Sequence, residues 1–513
     1  MPIHIAIIGL DAATFDVILP LVKRGDLPNL GYLMEKGAWG PLRSTYPPIS
    51  VPAWVSCITG KGPGQHGLLD FRHYDNKTYS GGRGGLVNSS DFAGSTIFDI
   101  LSRAGKRVGV FRVPITYPPW PVNGFMVSGQ PTPDRRKAYT YPEGLADEVG
   151  DLHREANLKQ FQYFEDDVYL ENIMWDTDRH FEAAIDLLRK KSGDLDFFMM
   201  VLNCIDAIQH RFWKFRDTDY PFFIPVKDQK YKETVDDLYR KVDEGVGKVL
   251  ESLPDDVTVL VVSDHGTRLR PYRTAQLNRW LMSKGFLKLK HETKPEVIGW
   301  SETVAYRFPM YPPVDGIAIN LKGRQPEGNV ESGSEFESIR SEILSSVEDI
   351  KDPQTGCKIV QKAWRREALY HGSCIDRIPD IVVLLDPGYE AGGSLSGPPV
   401  TFKMPEDYKV WNGFHSMDGI LIASGPGICK NVDMKGANIV DITPTVLYAL
   451  GLPVTDDMDG KVLTGLFRDS YLTENPVDYT KSVGTEKVQG KYILSEDEEE
   501  QMKEKLRVLG YIE

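Results

Sequence analysis

The chain is 513 residues long with a formal net charge of −13, which gives room for roughly one to three domains and lacks the basic balance of a general nucleic-acid binder. Its 5 cysteines are odd in number and form no CxxC pair, which fits a reducing compartment better than a disulfide framework. The apolar runs are too short to span a bilayer and the N-terminus enters a strand without a signal-peptide pattern, so we expect a cytoplasmic chain that meets neither membrane nor nucleic-acid polymer.

Residues 3–10 are a nearly continuous apolar run, as a strand buried on both faces of a parallel sheet requires, and Asp11 stands at its carboxyl end. Residues 15–23 and 30–36 have helical patterning. Pro47 and Pro48 hold the approach to Ser50 extended. Ser50, then Pro52, an apolar run over 53–58 and Gly60 predict a helix with a serine N-cap, proline in its first turn and a glycine stop. A side-chain oxygen there would sit in the positive field of the helix, where phosphates bind. Helix 95–104 and strands 106–113 and 123–129 follow. Phe181, Ala184, Ile185 and Leu188 give 176–191 helical spacing, before a buried strand at 196–202. A long amphipathic helix at 228–253 leads into strand 257–262. This alternation predicts an α/β fold with a mostly parallel sheet covered by helices on both faces.

From residue 266 to about 409 the texture changes, with proline and glycine interrupting short pieces at 316–321, 335–348 and 380–385. We read an inserted cap or subdomain, 266–409, between a first part of the core, 1–265, and a second part, 410–470. Strand 419–423 and helix 441–450 belong to that second part. Residues 471–513 form a tail ending in a charged helix, 496–509, packed by its apolar face.

The chemistry sits at strand ends. Asp11 follows the first strand. Asp206 follows strand 196–202, with His210 one helical turn further on and on the same face. Asp264 and His265 follow strand 257–262, and His415 precedes strand 419–423. In an open parallel sheet the carboxyl ends of the strands border one crevice, so three aspartates and three histidines are expected to converge beside Ser50. Singly, each has a plain explanation as a cap, a surface pair or a core histidine. Together they are hard or borderline ligands of a zinc-type site. His66, in GPGQHG, is read as structural, orienting its turn.

The order Asp11, Ser50, DxxxH (Asp206, His210), DHG (Asp264, His265) and GxH (His415) resembles the alkaline phosphatase superfamily, most closely its branch of type I phosphodiesterases and nucleotide pyrophosphatases. TGKGPGQHG at 59–67 and DITPTVLYALGLPVTDDMDG at 441–460 add to the resemblance. It implies an alkaline-phosphatase-like three-layer sandwich that hydrolyses small phosphoric esters or nucleotides, with cleavage of phosphodiester or nucleotide pyrophosphate bonds first. It implies two divalent ions, Zn²⁺ foremost and Mn²⁺ next. One would be held by Asp206, His210 and His415, the other by Asp11, Ser50, Asp264 and His265. Ser50 takes the nucleophile's place, where the pyrophosphatases usually have threonine, and would carry a phosphoseryl intermediate. Two divalent ions exceed the charge of three aspartates by one unit, which an ionised serine oxygen would neutralise.

One departure is larger. An asparagine that follows the HG pair in those enzymes and donates to a phosphoryl oxygen is replaced by Phe71, leaving Arg72 as the candidate donor. Phosphomonoesterase, phosphonate hydrolase and phosphomutase activities remain alternatives on the same scaffold. A sulfatase is disfavoured because Trp54 stands where its arginine belongs. A non-catalytic metal-binding protein is the remote reading.

Overall fold

The computed structural model describes residues 4–79, 84–133, 138–149, 165–290, 296–482 and 491–508. Ile3 and Leu509, the outer ends of two expected elements, lie outside them. A 10-stranded sheet runs through the molecule, in the order Val432–Asp433, Ala38–Arg43, Asp418–Ser424, Thr258–Val262, Ile5–Leu10, Phe197–Leu202, Val108–Phe111, Gly124–Val127 and Thr140–Tyr141, with Ala437–Asn438 also paired to Ala38–Arg43. The five strands from Thr258–Val262 to Gly124–Val127 are parallel to one another. Asp418–Ser424 runs antiparallel to both of its neighbours. Its start therefore lies at the carboxyl edge of the parallel strands, and His415 arrives at that edge from the opposite direction.

The period of two along each strand divides the core. Ala6, Ile8 and Leu10, with Phe198, Met200 and Leu202, face one apolar layer built with helices Phe15–Arg24, Pro28–Lys36, Asp166–Lys191, Cys204–Arg216 and Thr234–Leu250. Ile5 and Ile7, with Phe197, Met199 and Val201, face the other, which takes in helices Ser50–Thr59, Ile97–Arg103, Ile442–Ala449 and Glu496–Val508. This is a helix–sheet–helix sandwich. The continuous apolar runs in the sequence are what two covered faces demand.

Beyond Gly266–Leu269, which pairs antiparallel with Gly413–Ser416, a third apolar cluster supports a four-stranded antiparallel sheet. Its order is Ala305–Phe308, Val314–Ile319, Ile381–Leu385 and Val360–Arg365. Helix Ser334–Val347 buries Ile343 and Val347 in that cluster.

One cap differs from expectation. Ile49 is the N-cap of helix Ser50–Thr59, and Ser50 is its first helical residue. Pro52 fits this shift equally well, because proline is tolerated in a first turn, and Pro48 lies before the helix. Gly60 ends the helix in the left-handed conformation, with φ +69°.

Helix Pro28–Lys36 begins at Leu27, which has no side-chain cap of its own. Asp243, on helix Thr234–Leu250, supplies the cap from across the interface: its carboxylate accepts the N–H of Leu30 at 2.7 Å and of Asn29 at 3.1 Å. Removing it strands buried donors, so Asp243→Ala should lower unfolding free energy by about 1–3 kcal/mol, with the urea m-value unchanged. Asp243→Asn, which keeps one acceptor, should lose less. An unchanged midpoint for the alanine variant would show that water replaces the cap.

Candidate functional site

At the carboxyl edge of the parallel strands the structure brings together two triads. Asp206, His210 and His415 present ligand atoms within 4.8 Å of one another, and so do Asp11, Asp264 and His265. All six residues are buried. The three histidines share one arrangement. The Nδ1–H of His210 donates to the Gly413 carbonyl at 2.7 Å, that of His415 to Pro48 at 2.8 Å, and that of His265 to Gly266 at 3.1 Å. A carbonyl only accepts, so each ring carries a proton on Nδ1 and turns its Nε2 inward. Nε2 of His210 and Nε2 of His415 face each other at 3.2 Å, and both lie within 3.4 Å of Asp206 Oδ1.

The second triad has a different sign of readiness. Asp11 Oδ1, Asp264 Oδ2 and His265 Nε2 are buried and make no hydrogen bond, while the opposite oxygens are engaged. Asp11 Oδ2 accepts Trp54 Nε1–H at 3.1 Å and Asn203 Nδ2–H at 2.8 Å, and Asp264 Oδ1 accepts the Ala12 amide at 3.3 Å. Each side chain is therefore held by one end with its other end bare toward the same space. Buried polar atoms are rarely left so. A divalent cation fits this donor set, which combines carboxylate oxygen with neutral imidazole nitrogen.

Electrostatics agree with a site short of positive charge. Burial, and then the Asp264 and Asp206 carboxylates, hold Asp11 well above the usual carboxylate range. Burial and Asp206 push Asp264 up to about 8. Burial drives His265 well below the ordinary histidine value. Against its own burial, Asp206 is held well below the carboxylate range by His210 and His415. Without cations, three carboxylates so close cannot all stay ionised.

Backbone and packing place these groups. Gly9, two residues before Asp11, is required because a Cβ there would come within 2.6 Å of the Trp54 ring and 2.7 Å of Val201. The space lets the indole reach Asp11. Ala12 turns the chain after the strand at φ +63°, a conformation unusual for a residue with a Cβ. Its carbonyl accepts from Gln209 Nε2 at 2.8 Å and Thr267 Oγ1 at 3.2 Å, and Tyr239 donates to Gln209 Oε1 at 3.1 Å.

Ser50 is buried and lines a cleft with Asp206, Asn203, Phe71, Pro114, Gln130, Pro131 and Leu506. Arg72 does not line that cleft, where Phe71 stands instead. Arg72 bridges Leu86 through its backbone, and its Nε is buried without a hydrogen bond. His66 is structural, as expected. Its Nδ1 accepts the Leu68 amide at 3.2 Å, so Nε2–H donates to Ser56 Oγ at 3.1 Å.

Sequence reasoning passed over three contributors. Asn203 precedes helix Cys204–Arg216 and reads as an ordinary N-cap, yet its side chain makes no cap bond and holds Asp11. Trp54 lies in a helix that is buried throughout, with nothing in the pattern to mark its indole nitrogen. Tyr311 comes from the region whose texture changes, and its ring lies 4.5 Å from that of His415.

Among the described residues no helix is long and apolar enough to cross a membrane. All five cysteines are unpaired. No curated protein matches this sequence. The structure of murine ectonucleotide pyrophosphatase/phosphodiesterase 5 in complex with AMP is similar at a TM-score of 0.50 and 14% identity, covering 88% of this chain and 95% of that one. Phosphonoacetate hydrolase from Sinorhizobium meliloti 1021, in complex with phosphonoformate, is similar at a TM-score of 0.54 and 17% identity, with 88% and 95% covered. Such distant likenesses speak for the fold alone. The family model described as type I phosphodiesterase / nucleotide pyrophosphatase matches residues 5–416, and the chain belongs to that family of hydrolases.

Proposed function

We propose that this chain is a metal-dependent phosphoric ester hydrolase that cleaves phosphodiester or nucleotide pyrophosphate bonds with Ser50 as nucleophile. The observation that carries the reading is the pair of buried triads beside the cleft that holds Ser50, in one of which Asp11 Oδ1, Asp264 Oδ2 and His265 Nε2 make no hydrogen bond. Asp206, His210 and His415 would hold one divalent ion, and Asp11, Asp264 and His265, with Ser50, the second. Zn²⁺ is the first choice for these donors and Mn²⁺ the next. Bound there, divalent ions supply Lewis acidity, acidifying a hydroxyl and drawing charge from phosphoryl oxygens.

The chain's own groups do the rest. Ser50 Oγ gives up its proton and forms the new bond to phosphorus, while the bond to the ester oxygen breaks and the departing alcohol takes up a proton. Water then attacks the phosphoseryl group and regenerates the serine hydroxyl. Ser50 opens a helix, so the Val51 amide has no acceptor within that helix and its dipole favours the anion. That amide is a candidate for the donor role first given to Arg72. The Trp54 and Asn203 hydrogen bonds fix Asp11, and the histidine–carbonyl bonds fix each ring, so the site needs little rearrangement.

Two measurements test this. Protein loaded with Zn²⁺ or Mn²⁺ should contain two ions per chain and hydrolyse a 4-nitrophenyl phosphodiester, and chelation should abolish turnover. His210→Ala should reduce the ion content to one. Active protein without bound metal would overturn the proposal. Ser50→Ala should keep the fold and most of the metal while lowering kcat by about 10³-fold or more, and Ser50→Thr should retain measurable activity. A rate close to wild type for the alanine variant would mean that water attacks phosphorus directly.

A further inference from the structure

The cleft beside Ser50 has a wall from the far end of the chain. Leu506, on helix Glu496–Val508, is buried and lines the cleft together with Pro114, Pro131, Gln130 and Asn203. The family match ends at residue 416, so this helix lies outside it.

The helix is fastened to the loops that form the same cleft. Glu498, itself buried, accepts the Tyr117 hydroxyl at 2.7 Å and the Tyr492 hydroxyl at 2.9 Å, and its other oxygen accepts the Ser495 amide at 2.9 Å. Lys505 Nζ donates to the Thr132 carbonyl at 2.6 Å, one residue beyond Pro131. Met502 and Leu506 are buried in the same apolar layer as the Ser50 helix. A position held by charge-assisted bonds at both ends and by packing between them is a fixed wall.

Two of the lining residues each carry an acceptor without a partner. Asn203 Oδ1 and Gln130 Oε1 are buried with no hydrogen-bond partner. The orientation of Asn203 is set by its Nδ2–H bond to Asp11, so its carbonyl oxygen is the end that remains. A ligand group that donates to such oxygens is favoured, and one that cannot donate leaves them unpaired.

We propose that the C-terminal helix is the specificity wall of this cleft, where Leu506, Pro114 and Pro131 pack a compact substituent of the phosphoester and the amide oxygens of Asn203 and Gln130 accept hydrogen bonds from hydroxyl or amino groups on it. This rests on the reading of the Ser50 cleft as the ester-hydrolysing site, and it narrows the substrate class to esters of small polyhydroxy or amino alcohols. A carboxylate-bearing phosphonate, which brings acceptors to acceptors, is disfavoured.

The test uses full-length, metal-loaded protein and two diesters with one leaving group, 2,3-dihydroxypropyl 4-nitrophenyl phosphate and propyl 4-nitrophenyl phosphate. They differ only in two hydroxyls. Wild type should prefer the first in kcat/KM by about tenfold or more, and Gln130→Leu should reduce that ratio by at least about threefold. Leu506→Ala should raise the relative kcat/KM of a bulkier cyclohexyl ester over the propyl ester, and Leu506→Phe should lower it. The two variants change volume in opposite senses, so one still reports if the other fails to fold. Turnover with a hydroxyl preference below about twofold, or a size ranking unmoved by the Leu506 variants that fold, overturns this inference and leaves the hydrolase reading standing. No turnover of any of the esters overturns both.

Discussion

The structure depends on one constraint, the burial of three carboxylates in a single space. Asp11, Asp206 and Asp264 lie at the carboxyl edge of the sheet, out of water. Taking an ionised carboxylate out of water costs several kcal/mol unless something replaces its hydration. Two replacements are visible. One oxygen of Asp11 and one of Asp264 take hydrogen bonds from Trp54, Asn203 and the Ala12 amide, and Asp206 is flanked by His210 and His415. The other oxygens of Asp11 and Asp264 have none. Burial, and then the neighbouring carboxylates, hold both groups well above the ordinary carboxylate range. The fold tolerates that deficit only because its surroundings are over-determined, with a ten-stranded sheet beneath and a helix layer on each face.

The architecture also explains how residues so distant in sequence meet. Parallel strands deliver their carboxyl ends to one edge, so Asp11, Asp206 and Asp264 converge from three neighbouring strands in the order 258, 5, 197. His415 could not reach that edge from a parallel strand without a crossover. It does so because Asp418–Ser424 runs antiparallel, and because Gly413 lets the preceding backbone touch helix Cys204–Arg216, where a Cβ would come within 2.2 Å of the Gln209 carbonyl. That close approach is the same one that gives His210 Nδ1 its acceptor. The glycine and the histidine are one device.

Much of this was legible in the sequence. Apolar runs of strand length alternating with amphipathic helices specify a covered parallel sheet, and the helices at 15–24, 28–36 and 442–449 lie within a residue or two of where periodicity puts them. The six ionisable residues were legible because strand ends are visible as the last apolar residue before a polar one. Strand Ala38–Arg43 was not, since Gly40 and Pro41 are poor strand formers and its pairing partners lie nearly four hundred residues away. The N-cap at Ser50 was displaced by one residue because Ile49 has no cap signature, and its backbone is set by packing, not by a side-chain bond. Arg72 illustrates the sharper limit. Phe71 lines the cleft and Arg72, its neighbour in sequence, does not, so adjacency along the chain is no guide to adjacency at the site.

The division between legible and illegible follows the division of labour in the site. Residues that set the chemistry sit on rigid elements, at strand ends or in first turns, where hydrophobic pattern and position are locked together. Residues that shape what can bind come from elsewhere. Tyr311 packs on His415 from the region after Gly266, and Leu506 closes the Ser50 cleft from a helix some 450 residues downstream of the serine. Nothing local distinguishes either from an ordinary packing residue, because each acts by where tertiary contacts put it. Such segments are held by a few strong anchors, here Glu498 and Lys505, and need no periodic relation to the sheet. The parallel core can therefore keep its triads while the walls change, which is how one fold comes to serve many esters. Under the proposed reading, what distinguishes this chain's substrate is less the metal-binding triads than Leu506 and the amide oxygens of Asn203 and Gln130.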